Sequence, residues 1–146
     1  GEKLRGQGDV QAPDYDFTGK RALLVEDNEV NIEITRNILL HKNLQVDVAV
    51  NGEEGVTHFL SHEPGYYDVI LMDIRMPVMS GLEAARQIRA MSRTDAQTVP
   101  IIAMTANAYE EDVSQSLAAG MNAHLAKPIE PQVILDTLAG YIGSKN

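Results

Sequence analysis

Val69–Asp73 reads VILMD, four apolar residues closed by an acid. An uninterrupted apolar run of this length fits a strand covered on both faces, as the central strand of a parallel sheet is. Three further runs share its form. Arg21–Val25 (RALLV) leads into Glu26-Asp27, Ile101–Met104 into Thr105, and Ala123–Ala126 into Lys127-Pro128. If all four are strands of one parallel sheet, their polar endings meet at its carboxyl edge. Open α/β sheets bind ligands there, in the crevice where strand order reverses. Three acids, a hydroxyl and a lysine gathered at that edge make a site for a divalent cation and a phosphoryl group.

Helical signals lie between the runs. Asp27 or Asn28 can cap a segment with apolar residues at Val30, Ile34, Ile38 and Leu39. Gln45–Val50 (QVDVAV) alternates like a strand near a sheet edge, and Asn51-Gly52 turns into a weaker helix with Val56, Phe59 and Leu60, ending before Pro64-Gly65. The loop Ile74–Ser80, containing Pro77, leads to Gly81 and a helix with Leu82, Ala85 and Ile88 inward. Arg86, Arg89 and Arg93 read as the solvated side of that segment. Ala108–Ala119 is a helix of thin amphipathicity stopped by Gly120, and Pro131 opens a last helix using Val133, Ile134, Leu138 and Ile142. Strands alternating with helices in this way predict an α/β fold, a doubly wound five-stranded parallel sheet with five helices and right-handed crossovers.

With 146 residues, one domain with a substantial core is expected. Residues 1–19 are rich in Gly, Asp and Gln and read as a flexible linker or extension, leaving residues 20–144 as the folded domain. A first residue of Gly rather than Met points to a piece of a longer protein. The net charge of −9, with unclustered Lys and Arg, argues against a nucleic-acid-binding surface, which needs a basic stripe. The absence of cysteine excludes disulfides, thiol catalysis and Cys-ligated zinc, and suits a cytoplasmic location. No apolar run approaches the roughly 20 residues that span a bilayer, and Gly1–Gly19 has no signal-peptide core. His41, His58 and His62 read as exposed helix residues without zinc-ligand spacing, and the methionines as packing or loop residues.

The strings LLVEDNEVN (23–31), VILMDIRMPVMSGLEAARQIR (69–89), IIAMTANA (101–108) and GMNAHLAKPI (120–129) closely resemble the receiver domain of two-component response regulators. The wording is most like receivers attached to hybrid sensor histidine kinases. The resemblance runs from about Lys20 to about Gly143, and the motifs come in the right order and spacing. It implies a flavodoxin-like sheet of order 2-1-3-4-5, with Asp73 as phosphoacceptor and Glu26 and Asp27 as the acidic pair. Thr105 would be the switch hydroxyl and Lys127 the phosphate-binding lysine, before a cis Pro128. The domain would take a phosphoryl group from a phosphohistidine with Mg2+, change shape, and lose the group by hydrolysis, catalysing both steps itself. We assign Asp27 and Asp73 as direct metal ligands, the backbone carbonyl of Arg75 as a third, and Glu26 as acting through water. The implied partners are a histidine kinase domain, a histidine phosphotransfer domain, or both; the parent protein would be a hybrid histidine kinase, membrane-anchored elsewhere if at all. No nucleic acid and no direct membrane contact are expected for this domain. The sequence departs from the family at His124, where Tyr or Phe often stands three residues before the lysine. A smaller imidazole there implies a shallow switch that tracks Thr105 weakly.

Each signal has a plainer reading alone: Asp27 and Asn28 as caps, Asp73 as a solvated strand end, Lys127 as a surface lysine. Their joint placement at the ends of four strands favours a site. Two rival functions differ in kind. A haloacid-dehalogenase-type phosphatase also uses an Asp nucleophile after a strand, but wants a second Asp two residues on, where this chain has Arg75. A phosphate-independent docking domain would keep the acids only for folding, and the retention of Asp27, Asp73, Thr105 and Lys127 together argues against it.

Overall fold

The computed structural model describes residues 14–106 and 110–146, the side chains of residues 110–112 excepted. Strands and helices alternate: β1 (Arg21–Val25), α1 (Glu29–Leu40), β2 (Gln45–Ala49), α2 (Gly52–Ser61), β3 (Val69–Asp73), α3 (Gly81–Arg89), β4 (Ile101–Thr105), α4 (Glu110–Ala118), β5 (Ala123–Ala126) and α5 (Pro131–Ile142). All pairings are parallel, in the order β2-β1-β3-β4-β5, the doubly wound sheet expected. VILMD is the central strand and every one of its residues is buried. The chain runs outward from β1 to β2 and then crosses back to β3, so the reversal point lies at the carboxyl ends of β1 and β3.

Alternation along the strands divides the core between the two faces of the sheet. Leu23, Val25, Ile70, Met72, Ile101 and Ala103 pack with Phe59 of α2 and Ala84, Ala85 and Ile88 of α3. Ala22, Leu24, Val69, Leu71, Ile102 and Met104 pack with Ile32 and Leu39 of α1 and with Ile134, Leu135 and Leu138 of α5. Three helices that start at the carboxyl edge are capped by side chains: Asn28, Asn51 and Ser80 accept from the amides of Asn31, Glu54 and Glu83. Such caps contribute about 1 kcal/mol each and fix where each loop ends.

The helix faces differ from the expected ones. In α1 the buried row is Ile32, Thr35 and Leu39, while Val30 and Ile34 are 65% and 48% exposed. Both rows have helical spacing, and the threonine in the true one disguised it; burial of Thr35 went to the row that the short β1–α1 connection turns toward the sheet. Likewise Val133 and Leu60 are exposed, with Ile134, Leu135 and Leu138 facing inward in α5. Two of the three arginines are not a solvated face. Arg89 donates to the carbonyls of Gly120 and Ala96 and to Asn122 Oδ1, tying α3 to the loops that lead into β4 and β5. Arg93 pairs with Asp95 at 2.8 Å and stacks over the Phe59 ring, whereas Arg86 stays exposed beside Glu83.

Asp14–Gly19, read from sequence as part of the extension, is packed. Phe17 is fully buried in the α1–α5 layer, Tyr15 donates its hydroxyl proton to Asp136, and the Lys145 amide donates to the Asp16 carbonyl. A single large aromatic in a polar stretch is enough to anchor it, because Phe burial outweighs the ordering of a few residues. The remaining residues assigned to the extension, 1–13, lie outside the described residues, as does the expected start of α4 at Ala108. Among the described residues no helix is long and apolar enough to cross a membrane.

Candidate functional site

Register brings the acids together. Val25 pairs with Met72, so Glu26, the residue after β1, stands level with Asp73, the last residue of β3. One carboxylate oxygen each from Glu26, Asp27 and Asp73 lie within 4.8 Å of one another. Glu26 and Asp73 are buried at 1% and 4% exposure, whereas Asp27 is exposed at the mouth. Glu26 accepts from the Asn28 amide at 3.1 Å, and Asp73 Oδ1 accepts a long hydrogen bond from the Arg75 amide at 3.4 Å.

Lys127 reaches this cluster from the β5–α5 connection. Its amide donates to the Thr105 carbonyl at 2.8 Å, which seats the residue beside the end of β4, and its bond to Pro128 is cis. The ammonium then lies 2.9 Å from Glu26 Oε1 and 3.0 Å from Asp73 Oδ2. Burial draws its pKa down, but the hydrogen bonds to Glu26 and Asp73 outweigh that and hold it above the ordinary lysine value. Three carboxylates against one ammonium leave a formal net charge of −2 in a cleft where two of the three acids are buried. That residue of charge, presented by clustered carboxylate oxygens, fits a hard divalent cation.

The remaining expected residues are placed as follows. Thr105 is buried at the end of β4, with Ala126 opposite it, while Met104 sits opposite Asp73. Arg75 follows β3 by two residues, is exposed, and donates its amide to Asp73. His124 is exposed on the edge strand β5, opposite Ala103. Thr105 and Ala103 share a sheet face, so His124 is a diagonal cross-strand neighbour of Thr105.

Glycine contacts beneath the site escaped the sequence reading. A Cβ on Gly81 would lie 2.1 Å from the Asp73 carbonyl oxygen, so α3 can begin against the end of β3 only with glycine there. A Cβ on Gly52 would lie 2.4 Å from the Met79 carbonyl oxygen, to which the Gly52 amide donates at 3.1 Å. The signal for Gly81 is its place as the first helical residue after the cap Ser80; nothing local distinguishes Gly52 from a turn glycine.

Residues 22–139 match the family described as the response regulator receiver domain. The chain belongs to that family. Among its relatives, hybrid signal transduction histidine kinase G of Dictyostelium discoideum is 43% identical over 112 residues, covering 75% of this chain and 3% of its own length. Probable histidine kinase 2 of Oryza sativa subsp. indica is 36% identical over 151 residues, covering 96% of this chain and 14% of its own length. The chain thus spans a small part of the curated relatives it matches, 15% and 8% of two others. Among solved structures, the receiver domain of sensor histidine kinase PA1611 from Pseudomonas aeruginosa PAO1 is 40% identical with a TM-score of 0.78, covering 87% of this chain and all of that one; it carries a magnesium ion in its active-site cleft. The receiver domain of Ssk1 from Saccharomyces cerevisiae, co-crystallised with the histidine phosphotransfer protein Ypd1, is 30% identical with a TM-score of 0.76, covering 86% of this chain and 90% of that one. This receiver domain is a signalling module of the histidine–aspartate phosphorelay kind, with the flavodoxin-like fold of its relatives.

Proposed function

We propose that this receiver domain takes the phosphoryl group of a phosphohistidine onto Asp73. The single observation that carries the reading is Lys127 bridging Glu26 and Asp73 under a carboxylate cluster that keeps a net charge of −2. In the transfer an Asp73 carboxylate oxygen forms a bond to phosphorus while the phosphorus–nitrogen bond breaks, its electron pair returning to the imidazole, which takes a proton from solvent. Asp27 and Asp73 would hold Mg2+ directly, with the backbone carbonyl of Arg75, and Glu26 through water. When bound, the ion neutralises phosphoryl oxygen charge and orients the group. Lys127 would supply a second positive charge, already held against Glu26 and Asp73 before the donor arrives.

The switch follows from what changes on transfer. Thr105 ends the strand beside Asp73, and its hydroxyl can bond a phosphoryl oxygen only once that oxygen exists, the differential contact that a population shift requires. His124, exposed and diagonal to Thr105, would follow that movement weakly. The donor would be a histidine kinase domain or a histidine phosphotransfer domain, on the cytoplasmic side of a longer hybrid kinase. Support for a protein donor comes from Val30 and Ile34, exposed one turn apart on α1 directly after the acidic pair.

The test is phosphorylation with acetyl phosphate and with phosphorylated histidine phosphotransfer domains in the presence of Mg2+. The expected product is one base-labile phosphoryl group on Asp73, absent from Asp73→Asn. Phosphate on another residue, or an unlabelled wild type, refutes the assignment. Thr105→Ala should accept the group yet lose most of the phosphorylation-dependent change in amide spectra; a full change would remove Thr105 from the switch.

A further inference from the structure

Val78 serves neither the core nor the carboxylate chemistry. It lies in the loop between β3 and α3 with φ at +69°, in the left-handed region, and it is 76% exposed. That region is uncommon for any side chain and a genuine outlier for a β-branched one. Among the described residues Asn43 is the other non-glycine residue with positive φ, and asparagine tolerates it. The loop around Val78 is fixed. Met79 donates its amide to the Pro77 carbonyl at 2.7 Å, its own carbonyl accepts the Gly52 amide at 3.1 Å, and the Gly81 amide closes onto the Ile74 carbonyl at 2.8 Å. A strained backbone, pinned on both sides, thus holds a bare apolar side chain out into water. Outliers of this kind beside a reacting group point to function.

Position names what covers it. The loop leaves from Asp73 and returns to Gly81, which lies against the Asp73 main chain. Val78 is three residues from Gly81, so its Cα lies within about 11 Å of Gly81. A protein that delivers a group to Asp73 covers about 800 Å² of this domain, a patch of roughly 16 Å radius, and Val78 falls inside it. Val50, 44% exposed at the end of β2, adjoins Asn51-Gly52, the segment hydrogen-bonded to Met79. Two exposed valines, one next to Met79 and one two residues before Gly52, therefore stand on either side of one hydrogen bond.

We propose that Val78, with Val50 beside it, is an apolar contact for the protein that carries the phosphohistidine. It sets the rate of transfer from that protein to Asp73 while taking no part in the chemistry. This rests on the function proposed above and adds a positioning residue for its donor.

The experiment compares Val78→Asn with Val78→Leu. Neither replacement is β-branched, so each relaxes the strain, asparagine more than leucine, and only leucine keeps an apolar surface. Each is phosphorylated with acetyl phosphate, and with the fastest of a panel of phosphorylated histidine phosphotransfer domains. The small donor should react equally with wild type and both variants. With the protein donor, kcat/KM for Val78→Asn should fall about tenfold, the size of a real interface contact, while Val78→Leu keeps most of it. Equal protein-donor rates in all three overturn the contact, and so does an equal loss in both variants, which would assign the effect to backbone shape. A parallel loss with acetyl phosphate also overturns it, because the loop would then act on Asp73 itself. Reaction of wild type with acetyl phosphate and with no member of the panel refutes the contact alone. Failure with both donors refutes the phosphoacceptor reading and the contact with it.

Discussion

Replacing Lys127 by Met tests how the site is held together. The methionine keeps the length of the side chain and removes the charge, leaving Glu26 and Asp73, with side chains 2% and 6% exposed, facing each other without a cation. Breaking a buried ion pair from one side costs about 3–5 kcal/mol, because an uncompensated charge stays behind. Among the described residues Glu26 keeps the Asn28 amide at 3.1 Å and Asp73 the long contact to Arg75, so the lower end, about 3 kcal/mol, is expected. For a domain of this size that lowers Tm by roughly 10 °C. Calorimetry or thermal circular dichroism in chelator-treated buffer reads it. Adding Mg2+ should narrow the gap to wild type, since the variant cleft carries one more uncompensated negative charge; saturation at about 100 times Kd is worth roughly 2.7 kcal/mol. A second comparison isolates the pair: Asp73→Asn introduced into Lys127→Met should restore part of the loss, with a coupling of about 1–3 kcal/mol. A Lys127→Met variant melting within about 2 °C of wild type without metal would refute the reasoning. The pH dependence has a definite sign. The Lys127 pKa is raised in the fold, so its stabilisation is complete below the ordinary lysine value of 10.5 and is lost as pH climbs through the higher folded value. The alkaline loss of stability should therefore be smaller in Lys127→Met.

Three other changes separate the metal ligands from the scaffold. Asp27→Ala should weaken Mg2+ binding strongly and Glu26→Gln less, measured by NMR titration; equal affinity in wild type and Asp27→Ala would remove Asp27 from the ligand set. Phe17→Ala should destabilise the domain by about 3–5 kcal/mol, as removal of a fully buried Phe does, and a change under 1 kcal/mol in urea unfolding would return Asp14–Gly19 to the extension.

The sequence by itself determined the strands, their parallel direction and the identity of the clustered residues, while the strand order followed from the family resemblance. Within these strands VILM, ALLV and IIAM are apolar without interruption because both faces of each strand are covered, and a strand so covered has its chemistry only at its ends. Glu26, Asp27, Asp73 and Lys127 were legible for that reason: once the strands are parallel, topology alone carries their ends to one edge. Helix faces were less legible. Val30 and Ile34 have the same periodicity as Ile32, Thr35 and Leu39, and the choice between the two rows rests on how the β1–α1 connection rotates the helix, which residue type does not encode. The tertiary structure alone decided three further things. Arg89 is a clamp rather than a solvated charge because the carbonyls of Ala96 and Gly120, in two separate loops, converge on its guanidinium. Phe17 belongs to the core because α1 and α5 leave it a place. Gly81 must be glycine, and Val78 is strained, because α3 starts hard against the end of β3 and the loop between them has to turn back within seven residues, Ile74 to Ser80. Strand content follows from local patterning of the chain, whereas rotation, clamping and backbone strain come from which parts of the chain meet, and that is settled only when the layers pack.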